Sequence, residues 1–165
     1  MLRITARGEV TAGSLRAAGC PSVYHARPVN PAVDARAHLT EEDRSWLLAS
    51  LRFPVLATLR KDGSVSQSVV WFDLDPTDPD RVIINTLRGR VKDLHMRRDP
   101  RVSLCFEEGI DYLTIEGTVE IFDDPVRGDA EILAMAHRYG TDESGYAHGE
   151  RVPMRVHIER VIWHK

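Results

Sequence analysis

From Val55 onward, apolar and polar residues alternate with a period of two, and short turn sequences interrupt the alternation. This period is typical of β-strands that bury one face. Asp62-Gly63 is the dipeptide preferred in tight hairpin turns, so it predicts a turn between the first two strands. A change of phase at Glu159-Arg160 predicts a bulge or a barrel corner in the last strand. Six strands are expected, over residues 55–59, 65–72, 81–87, 102–106, 113–121 and 152–163.

Three short helices are predicted between these strands, over residues 40–51, 90–98 and 125–139. The first begins at Thr40, whose hydroxyl suits a helix N-cap, and the three acids after it suit the first turn. Gly89 separates the third strand from the second helix, and Gly140 follows the third helix. The fold class is therefore mainly β with short helices, and a mostly antiparallel barrel of six strands is expected.

The first 38 residues show neither the strand period of two nor the helix period of 3.6. They contain five arginines and two acidic residues. We expect residues 1–38 to form a flexible N-terminal extension and residues 39–165 to form the barrel domain. An arginine-rich, acid-poor start also fits a targeting peptide, but this segment contains no continuous apolar region, so a secretory signal is not expected.

Composition narrows the class of protein. The chain has 165 residues, 42% hydrophobic and 28% charged, which suits one globular domain. The net charge of −3 gives no general affinity for nucleic acid, and no apolar run is long enough for a membrane span. Cys20 and Cys105 lie too far apart to predict a disulfide framework, which fits a cytoplasmic protein. The seven histidines lack metal-ligand spacing, so no metal site is expected.

One dense group of basic residues surrounds Gly89. A glycine at a strand-to-helix turn leaves free amides at the helix start, and flanking cations attract phosphate groups there. The same residues would also suit a solvated helix face whose charge Asp93 and Asp99 compensate, and the sequence leaves both alternatives open. The group consists of Arg88, Arg90, Lys92, Arg97, Arg98 and Arg101.

Several segments together resemble the pyridoxamine 5'-phosphate oxidase-like FMN-binding split β-barrels. Within that family the chain is most similar to the actinobacterial branch that uses the deazaflavin coenzyme F420. The resemblance spans about residues 40–163 and keeps the family's chain order. The segments that carry it are 55–58, Asp62-Gly63, 69–72, 85–94, 98–102 and 115–119.

The resemblance implies a split barrel that forms a homodimer with two cofactor sites at the subunit interface. The second strand would lie against the flavin-type ring, the end of the third strand would approach the ring or ribityl chain, and two cations would hold the cofactor phosphate. At least one of the second-strand residues is expected in the core instead. The implied cofactor-binding residues are Ser68, Val69, Val70, Trp71, Asn85, Thr86, Arg90 and Lys92.

The chain also departs from the oxidases of this family. It has Ser68 and Asp73 where their second strand offers an arginine and a lysine to the flavin phosphate, and their arginine-rich C-terminal substrate motif has no match. The resemblance therefore favours an F420-dependent reductase that transfers a hydride to a small unsaturated or carbonyl substrate. An FMN-dependent oxidase or flavin reductase remains the alternative, as does a non-catalytic module that binds flavin, F420 or haem.

No acid–base catalyst is assigned, because in such enzymes the cofactor supplies the chemistry. Tyr112, Tyr139 and His137 would donate a proton only if they faced the ring.

A second expectation concerns assembly. A small barrel has one interior, so Trp71, Phe72 and Phe106 cannot all point into it, and the surplus apolar face is expected to form a two-fold dimer interface.

Overall fold

The computed structural model describes residues 36–142, Tyr146 and residues 149–164. Within these residues the helices are α1 (Glu41–Ala49), α2 (Val91–Arg98) and α3 (Pro125–Arg138). The strands are β1 (Val55–Leu59), β2 (Val65–Val69), β3 (Asp73–Leu74), β4 (Arg81–Leu87), β5 (Arg101–Glu108), β6 (Asp111–Ile121) and β7 (Arg151–His164). All strand pairs are antiparallel. The mainly β fold is confirmed, but the sheet of the described residues has seven strands where six were expected, because Asp73–Leu74, directly after the second predicted strand, forms the separate strand β3. None of the described helices is long and apolar enough to cross a membrane.

The sheet is a curled ribbon whose two ends lie close together. Its strand order is β2-β1-β5-β6-β7-β4-β3, so β2 and β3 occupy opposite edges although they follow each other in the chain. Only residues 70–72 join them, and a link of that length spans at most about 14 Å. The sheet must therefore curl until its edges approach each other without pairing, which is the split barrel that the family resemblance implies.

This topology explains why the second strand is shorter than predicted. The alternation in the sequence continues to Phe72, but the strand ends at Val69 and Asp73–Leu74 pairs with β4 instead of β1. The predicted bulge in the last strand is confirmed. Glu116 pairs with Arg160 and Gly117 with Ile158, so Glu159 is the extra residue that bends β7.

The aromatic residues of the 70–72 link and of β5 divide between two apolar clusters. Phe72 and Phe106 meet edge-to-face in the barrel core, with ring centroids 4.8 Å apart. Trp71 points to a second cluster, which α3 forms against β4. The expectation that these three rings cannot share one interior is confirmed. The second cluster comprises Ile83, Ile132, Met135 and Tyr139, with Trp71 and Tyr146 packed against it.

The start of α1 is capped as predicted. The Thr40 hydroxyl accepts from the amide of Asp43, and the Asp43 carboxylate accepts from the amide of Thr40. The same carboxylate accepts from Arg36 and from the indole of Trp163, at 2.6 Å for the indole. The amide of Val161 donates to the carbonyl of Arg36 at 2.7 Å. The rest of the predicted extension, residues 1–35, lies outside the described residues.

Candidate functional site

An open pocket of about 420 Å³ lies where the barrel is split. It is bounded by the end of β2, the 70–72 link, the end of β4, the start of α2 and the start of β7. Its lining combines aromatic and aliphatic side chains with three cations. The lining residues are Phe53, Val69, Val70, Trp71, Asn85, Leu87, Arg90, Lys92, Ile132, Tyr146 and Arg151.

Six of the eight cofactor-binding residues that the resemblance implies line this one pocket: Val69, Val70, Trp71, Asn85, Arg90 and Lys92. The other two lie outside the lining. Ser68 is half-buried on β2, and Thr86 is buried within β4. The curling of the sheet thus gathers residues from three separate segments of the chain at one place.

The apolar wall of the pocket is a fixed aromatic stack. The Trp71 ring lies nearly parallel to Tyr139 at a centroid distance of 5.0 Å, and Tyr146 lies 4.8 Å from Trp71 at a tilt. Phe53 packs 5.0 Å from Tyr139 and is 52% exposed. Val70 belongs to the barrel core as well as to the lining. This wall is apolar and aromatic, which suits a ring system.

The structure divides the basic group around Gly89 into two kinds of residue. Arg88 and Arg97 both pair with Asp123, at 2.7 and 2.6 Å. Arg101 pairs with Asp99 at 2.7 Å, and Arg98 donates to the carbonyl of Leu59. Arg88, Arg97 and Arg101 are thus compensated by acids, and Arg98 is held by a backbone carbonyl.

Arg90 and Lys92 are different, because both line the pocket and neither side chain forms an ion pair or hydrogen bond within the described part of the chain. Gly89, at a φ of +77°, makes the turn that brings them to the pocket. The acid nearest in sequence, Asp93, is engaged by the Gly89 amide and by Arg97, both at 2.8 Å. Burial and the neighbouring charge of Arg90 lower the pKa of Lys92. An anion bound here would relieve that unfavourable arrangement.

Two polar atoms on β4 also lack partners. The Asn85 side chain donates to the carbonyl of Gly128 at 2.8 Å, while its Oδ1 is buried without a hydrogen bond from the described residues. The hydroxyl of Thr86 is buried in the same condition. Because buried polar atoms are nearly always paired, a ligand donor beside Asn85, which lines the pocket, is consistent with this geometry.

None of the three candidate proton donors lines the pocket. The Tyr139 hydroxyl donates to the carbonyl of Arg52 at 2.6 Å and accepts from the amide of Phe72. Burial raises the pKa of Tyr139, so its role here is structural. Tyr112 stacks on His164, and His137 is exposed on α3. Among the described residues, no group of histidines, cysteines and acids is suited to hold a metal ion.

Sequence reasoning missed several lining residues, of which Arg151 is chemically the most important. It begins β7 and stands opposite Leu87 in the β4–β7 ladder. No local motif marks it, because the residues that it joins in the pocket lie about sixty positions earlier in the chain. Phe53 and Tyr146 were missed for the same reason, since each packs against a ring far away in the chain, Phe53 against Tyr139 and Tyr146 against Trp71.

Comparison with known families places this geometry in context. A sequence model of the pyridoxamine 5'-phosphate oxidase family matches residues 39–165, which include every residue of the pocket. No curated protein matches the chain.

Several solved structures share the fold. One is described as an F420 reductase, with 24% identity, a TM-score of 0.61, and coverage of 71% of this chain and 94% of that chain. A conserved hypothetical protein from Mycobacterium tuberculosis has 23% identity, a TM-score of 0.64 and coverage of 76% and 84%. An FAD-binding protein from Mesorhizobium loti has 20% identity, a TM-score of 0.56 and coverage of 76% and 94%. At such identities the likeness establishes a shared fold.

Proposed function

The chain belongs to the pyridoxamine 5'-phosphate oxidase family, and from this premise we propose that it is an F420-dependent oxidoreductase acting on a small unsaturated or carbonyl substrate. The observation that carries the proposal is the pairing, in one pocket, of an apolar aromatic wall with two cations, Arg90 and Lys92, that have no acidic partner among the described residues. A planar ring that bears an anionic tail has the matching chemistry. The neighbour described as an F420 reductase supports the choice of cofactor.

When bound, F420 would supply a hydride, and the residues of the pocket would hold its ring and its tail. Trp71, held against Tyr139, would offer the ring of the cofactor an apolar surface to pack against. Arg90 and Lys92 hold the anionic tail and thereby set the position of the ring along the wall. The Oδ1 of Asn85, which has no hydrogen bond from the described residues, would be available to accept from a donor on the cofactor.

The residues at the departures from the oxidases favour a deazaflavin over FMN. Asp73, which replaces a cation of the oxidases, is committed to Arg138 at 2.7 Å. Neither Asp73 nor Ser68 lines the pocket, so the second strand offers no charge to a phosphate. The cations of the pocket lie at the start of α2 and not on the second strand. We infer that they suit a tail that carries more than one anionic group. FMN remains the alternative cofactor, and the neighbour described as an FAD-binding protein supports a flavin as the ligand.

The proposal is tested by titrating the purified protein with F420 and with FMN, and then assaying oxidation of reduced F420. The panel of acceptors would contain α,β-unsaturated carbonyls, quinones and imines. We expect F420 to bind more tightly than FMN and reduced F420 to be consumed with at least one acceptor. A protein that purifies yellow with FMN and ignores F420 would support the FMN alternative. Tight F420 binding without turnover would support a binding module.

We also propose that the protein is a homodimer. β2 is an edge of the sheet, and it presents Val65 and Val69 at 55% and 63% exposure. Val91 and Leu94 on α2 and Phe53 before β1 are exposed as well. An apolar open edge of this kind is prone to association unless another surface covers it. A second copy of the chain, related by a two-fold axis, would cover it.

Light scattering at micromolar concentration is expected to give twice the mass of the chain. Val65→Asp places a charge on the exposed edge and is expected to yield a monomer with weakened cofactor binding, because the site would lose its partner. Ile110→Asp is the matched control, since Ile110 is 90% exposed in the turn between β5 and β6 and should leave the dimer intact. A wild-type monomer at this concentration would contradict the proposal.

A further inference from the structure

Arg151 is a buried cation that pairs with no acid among the residues that the structure describes. Its relative exposure is 7%, and it forms no ion pair within the described part of the chain. Burial, together with the charge of Arg90, lowers the pKa of Arg151. Asp129 on α3 is the acid whose charge acts in the opposite direction, and it does so without forming an ion pair. A charge buried in this way destabilises the protein unless something compensates it.

The guanidinium of Arg151 uses only one edge for the protein. Its Nε and one terminal nitrogen donate to the carbonyl of Tyr146, at 3.1 and 2.9 Å. Its other terminal nitrogen has no acceptor among the described residues. The side chain lines the same pocket as Arg90 and Lys92, so a second donor edge, unused by the described residues, is available to a ligand there.

The backbone of Arg151 is held in place from two sides. Arg151 pairs with Leu87 between β7 and β4, and Leu87 lies two positions before the turn at Gly89. On the other side α3 packs against it so closely that a Cβ at Gly128 would lie 2.7 Å from the Arg151 Cβ. The Asn85 amide bonds the carbonyl of Gly128 and fixes this contact. The guanidinium is therefore preorganised, which reduces the entropic cost of binding an anion.

We propose that Arg151 is a third anion-binding residue of the pocket and makes it selective for ligands whose tail carries two or more negative charges. The inference rests on the proposed function, which brings a cofactor tail to Arg90 and Lys92. Two cations suffice for a single charge. A third, buried and unpaired, gains most from an additional charge, and its planar fork suits two phosphate or carboxylate oxygens. Arg151 would therefore discriminate between ligands by the charge of the tail.

The test compares FMN with riboflavin, which carry the same ring with and without a phosphate. Both would be titrated into wild type, Arg151→Lys and Arg151→Met by quenching of flavin fluorescence. Wild type is expected to prefer FMN. Arg151→Met should lower the FMN affinity about tenfold, the scale of one charge-assisted contact, and leave riboflavin within twofold. Arg151→Lys should recover part of the preference.

The FMN-to-riboflavin ratio is internal to each variant, so a general loss of folded protein does not move it. Equal weakening of both ligands in Arg151→Met would overturn the inference and leave Arg151 as a support for the Tyr146 carbonyl. A wild type without preference for FMN would overturn it too. Thermal melts with inorganic pyrophosphate at constant ionic strength give a ring-free check, with stabilisation expected for wild type and lost in Arg151→Met. The two proposals can fail independently. If the FMN-to-riboflavin ratio depends on Arg151 but reduced F420 is not consumed, the proposed function is wrong and the inference about Arg151 stands.

Discussion

Replacing Arg90 and Lys92 together by alanine is expected to weaken F420 binding about 100-fold or more. Each side chain would make a charge-assisted contact worth about 1.5–3 kcal/mol, and about 1.4 kcal/mol corresponds to a factor of ten. Lys92→Ala alone should cost roughly tenfold or more. The effect should shrink at high salt, because the pocket is open to solvent and ions screen such contacts.

The same change has a distinctive effect on the protein without ligand. Lys92 is half-buried beside Arg90, and neither has an acidic partner among the described residues. Removing one of two like charges relieves repulsion, so Lys92→Ala should melt at the same temperature as wild type or slightly higher. Loss of affinity without loss of stability is typical of a residue selected for binding.

Arg98→Ala is the matched control for these variants. Arg98 is a cation of the same helix, but it lies outside the pocket lining and contacts the carbonyl of Leu59. Its removal is expected to change F420 affinity by less than about threefold, since it touches no ligand in this geometry. Fluorescence titrations at two salt concentrations measure all three variants. Unchanged binding of both F420 and FMN in Lys92→Ala would remove the anion site from the proposal.

Arg155→Met is expected to destabilise the fold by about 3–5 kcal/mol, the usual cost of removing one partner from a buried ion pair. Arg155 is 3% exposed and bonds two acids, Asp75 at 2.5 Å and Glu131 at 2.5 Å. Without the guanidinium both carboxylates remain in poorly solvated positions. For a chain of this length such a loss lowers the melting temperature by roughly 10 °C. Arg160→Met, which removes an exposed pair with Glu116, should cost less than about 1 kcal/mol.

The pH dependence of this network has a definite sign. Burial alone would raise the pKa of Asp75, but hydrogen bonds from Thr77 and Arg155 outweigh it and lower the pKa from 3.8 to about 2. A depressed carboxyl pKa stabilises the folded state above the unfolded value, and that stability is lost as the pH falls from about 4 towards 2. Arg155→Met should therefore lose less stability than wild type over this acidic range. A parallel loss in both proteins would show that Asp75 does not depend on Arg155.

Several features of the fold could be predicted because their causes are local. Alternation with a period of two identifies a strand wherever one face is buried, and the phase change at Glu159 marks an extra residue without reference to any partner strand. The hydroxyl of Thr40 and the carboxylate of Asp43 cap α1 within four residues of chain. Turn, cap and period depend on neighbours in sequence, so the printed residues suffice to predict them.

Other features depend on contacts between residues far apart in the chain. Val70, Trp71 and Phe72 read as the continuation of a strand, and only the closure of the barrel makes them the link across its split. For the same reason the sequence could not distinguish Arg88 and Arg97 from Arg90 and Lys92. Arg88 pairs with Glu150, which lies 62 positions later in the chain, and Arg97 pairs with Asp123, which lies 26 positions later.

The sequence alone therefore determined that an antiparallel barrel carries a glycine turn with cations at the start of a helix. The tertiary structure decided which of those cations lack an acid partner among the described residues, and it brought Arg151 to them through the pairing of β4 with β7. Charge compensation is a sum over neighbours in space. A list of residues gives the charges, and the fold decides which of them meet.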